Sequence, residues 1–464
     1  KLPESAQTYI NFIEEFTDVP IKYISVGPER KQNIIRLMIK RYLINEIEDI
    51  WNQNNKISTW KKVESSVTKQ LEDAGIVPKG LSAEILKVNI SLEELEEREK
   101  ITNHDVASFV DILQNKIQKN SEWVHYGLTS SDIVDTSNSL LIIESLDFLL
   151  IQIDKLIETL KNLAIKEKDT KIIGRTHGVF AEITFLGNIF SNWLLEINRN
   201  KQRIVKAKEN ISVGKFSGAV GNYSILNQEI EERALSSLNL KPELFASQIV
   251  SRDRYAEVII AIGMLGSCFD RISQNLRGYQ RSEVGEIFES FSKEQKGSSA
   301  MPHKKNPITS ERVSGISRIL RGYVITSLEN ISLWHERDIS NSSVERIIFP
   351  DGFNLITFAT IEMEKLFSNI QINHEKINSN IDLAKVSILT QACLSHLITK
   401  GVDRDEAYRF IQSQSFEFDD LDDYLTTLSK NFENVSIEEL KSITNEILSE
   451  KTNENFEEKI NSIV

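Results

Sequence analysis

The chain has 464 residues, enough for roughly two to four domains. Apolar residues make up 40% and charged residues 27%, the balance of an ordinary globular protein. The formal net charge of −13 argues against general nucleic-acid binding, so an anionic ligand would need a local cationic pocket.

The N-terminus, KLPESAQ, has no secretory-signal character. The longest apolar run, VIIAIGMLG at 258–266, is too short to span a bilayer, so no membrane segment is expected and the cytoplasm is the default compartment. Proline falls at only eight positions, none of them between Pro78 and Pro242 or after Pro350, and helix interiors reject proline. Long helices are therefore permitted. Ile143, Leu146, Leu150, Ile153, Ile157, Leu160 and Ala164 recur at spacings of three and four, a coiled-coil-like seam on one helix. Similar patterns run through 185–210, 256–285, 310–332 and 355–400. A mostly α protein with a central bundle of long helices is expected. Cys268 and Cys393 lie in apolar helical patterns and read as core thiols, and no CxxC or CxxH pairing suggests a metal.

Three polar stretches interrupt the helices: VHYGLTSSDIVDT (124–136), GRTHGVFAEITFLG (174–187) and KGSSAMPHKKNP (296–307). Ligand-facing groups favour such segments on a rigid scaffold. KGVDRDEAYRF (400–410) then opens a smaller C-terminal helical unit. In the third stretch, Asn306 and Pro307 read as an N-cap and first helical residue, with a helix to about Tyr323. Its free N–H groups, with Lys304 and Lys305, are expected to hold a carboxylate or phosphate. Gly297 allows close backbone approach, and two serine hydroxyls stand beside it.

GSSAMPHKKNP resembles the signature of the fumarase/aspartase superfamily, whose members release fumarate by β-elimination. The chemistry suits the residues. Removing the proton beside a carboxylate builds up charge that preorganised donors and cations must stabilise. Lys304, Asn306 and the helix start can supply them. TNHDVASFV (102–110), WVHYGLTSSDIVDT (123–136), GRTHGVFAE (174–182), SQIVSRDRYAE (247–257) and WHERDISNSSVERIIFPD (334–351) are similar to the adenylosuccinate lyase family, a resemblance covering roughly 38–464.

That resemblance implies an all-α, three-domain fold: an N-terminal lyase domain over 38–147, a central helical-bundle domain over 148–399 and a C-terminal helical domain over 400–464. It implies cleavage of adenylosuccinate to AMP and fumarate, and of the succinyl-carboxamide ribotide (SAICAR) to AICAR and fumarate, with no metal or organic cofactor. Ser298 is the implied general base, with Ser299 its rival, on a loop that closes before chemistry. His177 is the implied general acid, Glu311 the carboxylate paired with it, and His104 a second active-site histidine on the phosphate side. Thr129 and Ser130 match contacts to a succinyl carboxylate, and Gln248 a residue reaching the substrate. Arg337, Ser342, Arg346, Arg41 and Tyr42 match phosphate or nucleotide contacts, for which the arginine fork is suited. The resemblance also implies a homotetramer whose active sites draw on three subunits.

Taken singly, several of these residues have plainer readings: His177 as a structural histidine, Glu311 as a surface carboxylate, TSSD as a helix cap. His303, His335, His374 and His396 read as structural or remote. The chain departs from the family pattern at Phe180 (usually His), Ile183 (usually Pro), Asn341 (usually His) and Tyr255 (commonly His). Argininosuccinate lyase uses a similar loop, but VHYGLTSSDIVDT and RDISNSSVER argue against it. A non-catalytic protein on the same scaffold is the rival from another class. Finally, KLPESAQTYINFIEEFTDVPIKYISVGPER resembles the extreme C-terminus of adenylosuccinate synthetase. Residues 1–37 are thus expected to be a remnant or part of a synthetase–lyase fusion, with Met38 where a free-standing lyase would start.

Overall fold

The computed structural model describes residues 4–17, 23–25, 33–35, 40–291, 297, 300–452 and 455–463. Helices dominate, as the proline spacing and apolar periodicity require, and the strands pair only into two-stranded ladders. The chain divides into two compact units. The first comprises Lys1–Leu149, Ile204–Gly263 and Leu320–Phe358; the second comprises Leu150–Arg203, Met264–Ile319 and Ala359–Val464. The divisions fall inside five long helices: Ser130–Lys166, Leu186–Ile211, Arg252–Tyr279, Ile308–Glu329 and Ser340–Ser368.

The expected seam of Ser130–Lys166 is wider than a coiled-coil stripe. Leu146, Ile153, Ile157, Leu160 and Ala164 are buried, but so are Leu149 and Leu156 between them. A helix apolar over so broad a face needs neighbours on more than one side. The helical pattern expected over 355–400 resolves into three pieces, ending with His374–Leu383 and Lys385–Thr399, with the strand Gln371–Ile372 ahead of them. Pro350 lies inside the helix Ser340–Ser368, where the Asn354 amide donates to its carbonyl at 2.9 Å. No single described helix is long and apolar enough to cross a membrane.

In the first unit, the helix Gln53–Asp73 presents Trp60, Val63, Val67 and Leu71 to a core that includes Leu81, Phe109, Ile133 and Leu235. Trp60 meets Phe109 edge to face at 5.5 Å, an arrangement aromatic quadrupoles favour. In the second unit, four helices after residue 384 enclose Cys393, Leu397, Ile411, Tyr424 and Leu428. Gly401, at φ 84°, follows the helix Lys385–Thr399, and Asp403 caps the next by accepting from the N–H groups of Asp405 and Glu406. Cys268 and Cys393 are buried free thiols; burial pushes Cys393 up to about 12 and raises Cys268 further, so neither is a nucleophile.

Candidate active site

In the first unit, two helix starts and one loop converge. His104 is the N-cap of the helix Asp105–Lys116, and its Nδ1 accepts from the Ala107 N–H at 3.3 Å. In the neutral ring the proton then sits on Nε2, which lies 3.4 Å from the Ser130 hydroxyl. The TSSD stretch is also a cap. The Thr129 N–H donates to the Asp132 carboxylate at 2.8 Å, and the helix begins at Ser130. The plain reading thus holds for Asp132, while its neighbours Ser130 and Ser131 line a cavity. Arg337 donates to the Ser131 hydroxyl at 3.1 Å and to the Gln248 carbonyl at 3.3 Å. Its Nε is buried and unpartnered. Arg346 donates to Asp105 at 2.6 Å and to the Ser342 hydroxyl at 3.4 Å. His104, Asp105, Ser130, Ser131, Arg337, Ser342 and Arg346 line a cavity of about 160 Å³, and Gln248 stands behind Arg337.

Beneath the cavity, buried ion pairs hold the loops. Lys215 and Asp132, both fully buried, are joined in a salt bridge. The Glu64 carboxylate accepts from the His125 N–H at 2.7 Å and meets its Nδ1 at 3.0 Å, fixing His125 at φ 66° in the left-handed region. Burial alone would push the His125 imidazole down; the Glu64 charge and hydrogen bond, with Asp132, raise it. Arg252 donates to Asp135 at 2.6 and 2.9 Å and to Glu345 at 2.8 Å, stitching three distant segments together.

In the second unit, the GRTHGVFAE stretch is a β-hairpin. Strands Lys171–Thr176 and Val179–Phe185 pair antiparallel, and His177 and Gly178, at φ 55° and 80°, form the two-residue turn between them. His177 is therefore exposed at a hairpin tip rather than in a loose polar break. A signal was present in the β-branched and aromatic residues flanking HG. Near its turn the hairpin is anchored by Arg175, which makes a two-point pair with Glu286 at 2.7 and 2.8 Å; Asn380 also donates to Glu286 at 2.8 Å.

The signature loop is tied down at both ends. The Asn306 side-chain amide donates to the Gly297 carbonyl at 2.8 Å. A Cβ on Gly297 would lie 1.9 Å from the Lys304 carbonyl oxygen, so only glycine fits. The Gln280 amide donates to the Lys305 carbonyl at 3.0 Å, and Lys305 stands 5.7 Å from the centroid of Phe291. The helix after the loop is Ile308–Glu329, longer than expected. Its starting N–H groups are not open to a ligand. Glu289 accepts from the Thr309 and Ser310 N–H groups at 3.0 and 2.7 Å and from the Ser310 hydroxyl at 2.6 Å. The helix dipole is thus satisfied from within, and the cationic character of this loop comes from its lysines.

The structure brings His104, Ser130, Gln248, Arg337, Ser342 and Arg346 into one cluster. Thr129 adjoins it through the cap. His177, Lys304, Asn306 and Glu311 belong to the other unit, where His177 and Glu311 are both exposed and unpaired with each other among the described residues. Arg41 and Tyr42 form a 3₁₀ turn; Tyr42 packs edge-on to Phe358 at 5.2 Å, and neither residue lines the His104 cavity. Ser298 and Ser299 lie outside the described residues, as do residues 1–3, 18–22, 26–32 and 36–37 of the N-terminal segment. Asp105 and Ser131 also line the cavity, and in the sequence each sits beside a more obviously reactive neighbour, His104 and Ser130. Among the described residues no group of three or more His, Cys, Asp or Glu side chains could hold a metal ion.

The departures from the family pattern have local accounts. Phe180 lies under the Arg175 guanidinium at 5.4 Å, and Ile183 pairs opposite Ile173 in the ladder, a position that suits a β-branched residue. Asn341 is buried and donates to Glu345 at 3.0 Å. Tyr255 stacks on Arg252 at 4.4 Å and reaches the Asp135 carbonyl at 3.3 Å. Asn341 and Tyr255 thus belong to the buried network around Arg252 and do not line the cavity.

Comparison with known proteins agrees with this architecture. A solved fumarate lyase from Mesorhizobium sp. BNC1 superposes with a TM-score of 0.81 at 20% identity, over 92% of this chain and 99% of its own, which shows the fold. The family model described as lyase matches residues 44–322, and that described as adenylosuccinate synthetase matches residues 1–34. An adenylosuccinate lyase of Thermotoga maritima is 44% identical over 381 residues, 82% of this chain and 88% of the relative. One of Aquifex aeolicus is 41% identical over 379 residues, 81% of this chain and 87% of the relative. The chain therefore belongs to the lyase family, and within it to the adenylosuccinate lyases.

Proposed function

We propose that this protein cleaves adenylosuccinate to AMP and fumarate, and SAICAR to AICAR and fumarate. The observation that carries the reading is the cavity in which Arg337 and Arg346 stand with His104, Ser130 and Ser342, in a chain of the adenylosuccinate lyase family. Two arginines and several neutral donors in one small cavity suit a ligand with separate anionic groups.

In this mechanism Ser298 removes a proton from the carbon next to the nitrogen-bearing carbon of the succinyl group. The electron pair delocalises into the adjacent carboxylate, where Lys304 and Asn306 stabilise the added charge. The pair then forms the double bond of fumarate as the carbon–nitrogen bond breaks. His177 gives a proton to the departing nitrogen, with Glu311 as its partner carboxylate in the completed site. One proton leaves carbon and one reaches nitrogen, so the step balances without a cofactor. Thr129 and Ser130 hold a succinyl carboxylate. Gln248 orients the substrate, and Arg337, Ser342, Arg346, Arg41 and Tyr42 take the phosphate and nucleotide, with His104 beside them.

His177 stands exposed on its hairpin, which supports sites completed between subunits of a homotetramer. The match of residues 1–34 supports a native polypeptide in which a synthetase precedes the lyase; that arrangement would place production and consumption of adenylosuccinate on one chain.

The experiment mixes the purified chain with adenylosuccinate and follows both products. Equal release of AMP and fumarate is expected; a folded protein that gives neither would overturn the reading, and argininosuccinate would be tried next. His177→Ala and Ser298→Ala should each lower kcat by about 10²–10⁴-fold. Near-full turnover by both folded variants would show that the acid and base are assigned wrongly.

A further inference from the structure

A second cavity, of about 140 Å³, adjoins the first within the same unit. The two share Val134, Ser342 and Arg346 as walls. Lys56 lines the second one, beside Trp51, Asn138 and Glu345. Lys56 stands in the first turn of the helix Gln53–Asp73, capped by Asn52. A helix start repels a cation, and burial disfavours one again. A lysine kept at such a place needs a local counter-charge. Its ammonium lies 4.8 Å from the centroid of the Trp60 ring, one turn along the same helix. Its carboxylate neighbours are Asp105 and Glu99.

We infer that Lys56 is a positioning residue for the anion clamp: lining one cavity with Arg346, it fixes the guanidinium of Arg346 that binds substrate. The inference rests on the proposed function insofar as Arg346 is read as a substrate contact. Arg346 has one nitrogen on Asp105 and another on Ser342, so these two acceptors set the plane of its fork. The Asp105 bond is effective only while that carboxyl is ionised. Burial of Asp105 pushes its carboxyl up; Lys56, then Arg346, more than offset this and hold it below the usual range. Lys56 in turn is lowered by burial and by Arg346, and pulled back by Asp105 and Glu99. The other titratable groups around this cluster are His104, whose Nδ1 is 3.6 Å from Asp105, and Glu345, which is engaged by Arg252.

The test compares the full chain with Lys56→Met and Lys56→Arg. Without the ammonium, Asp105 takes up a proton at higher pH and Arg346 loses its anchor. In Lys56→Met, KM for adenylosuccinate should stay near the parent value at neutrality, where Arg346 still keeps Asp105 ionised, and rise several-fold above the parent as pH falls toward about 5, with kcat within about twofold. Lys56→Arg keeps the charge and should restore KM. A Met variant whose KM follows the parent at every pH would overturn the inference, as would equal impairment of Met and Arg or a loss confined to kcat. A crystal structure of Lys56→Met at acidic pH gives a readout independent of substrate. The Arg346–Asp105 bond should be broken there and intact in the parent; an unmoved Arg346 refutes the positioning role even if adenylosuccinate is not the substrate.

Discussion

His125 illustrates how a single buried side chain reports on the floor of the site. It does not line the cavity, yet its pairing with Glu64 holds a left-handed residue five positions before Ser130. The Glu64 charge raises its proton affinity above the ordinary value of about 6.5. A histidine raised in the folded state contributes stability that is fully present below its unfolded pKa and lost as pH rises through the folded one. The stability gap between the parent and His125→Gln should therefore be larger at about pH 5.5 than at about pH 9. Chemical denaturation at both pH values checks this; a gap that does not change with pH would mean that the Glu64 pairing is not coupled to protonation.

At the scale of elements, the hairpin carries His177 on a two-residue turn, and the described end of the signature loop is closed by side-chain hydrogen bonds. Glu289 is the counterpart of this design at the helix Ile308–Glu329, supplying from another segment the cap that Asn306 was expected to give. Asn306 instead closes the loop onto Gly297. The two roles separate by mutation. Glu289→Ala uncovers two helix N–H groups and should lower stability by about 1–2 kcal/mol, read from the denaturation midpoint. Gly297→Ala forces the backbone away from Lys304 and should reduce kcat at least about tenfold with little change in stability. If the glycine variant turned over normally, the tight approach would be irrelevant to catalysis. The hairpin was harder to read. Its strands lie in a chain otherwise governed by a helical period, and the three glycines and two threonines of 174–187 suggest a loop. The pairing of Lys171 with Phe185, Ile172 with Thr184 and Ile173 with Ile183, continued by Arg175 with Phe180 and Thr176 with Val179, makes the ladder.

For the whole molecule, the chemistry-bearing segments fall into two sets. One set lines the cavity around His104; the other, with His177 and Glu311, faces solvent in the single chain. Under the proposed function, sites shared between subunits resolve this exposure. Inactive His177→Ala and Ser298→Ala proteins, mixed under conditions that let subunits exchange, should then regain measurable turnover. Mixtures that exchange subunits but stay inactive would place both residues in the same subunit's contribution to each site.

The amino-acid sequence by itself determined the long helices, through proline spacing and apolar periodicity, and the chemistry available in each polar break. Gly297, Lys304, Asn306 and the arginines of 334–351 are legible there because residue type and local spacing carry their meaning. What only the tertiary structure decided is which charges are already committed. The helix start near Asn306 is taken by Glu289, Asp132 by Lys215, Arg252 by Asp135 and Glu345, and Arg346 by an Asp105 that stands 241 positions away. Coulomb attraction and hydrogen bonding act over a few ångströms of space, whatever the distance along the chain, so such partners appear only once the helices have packed.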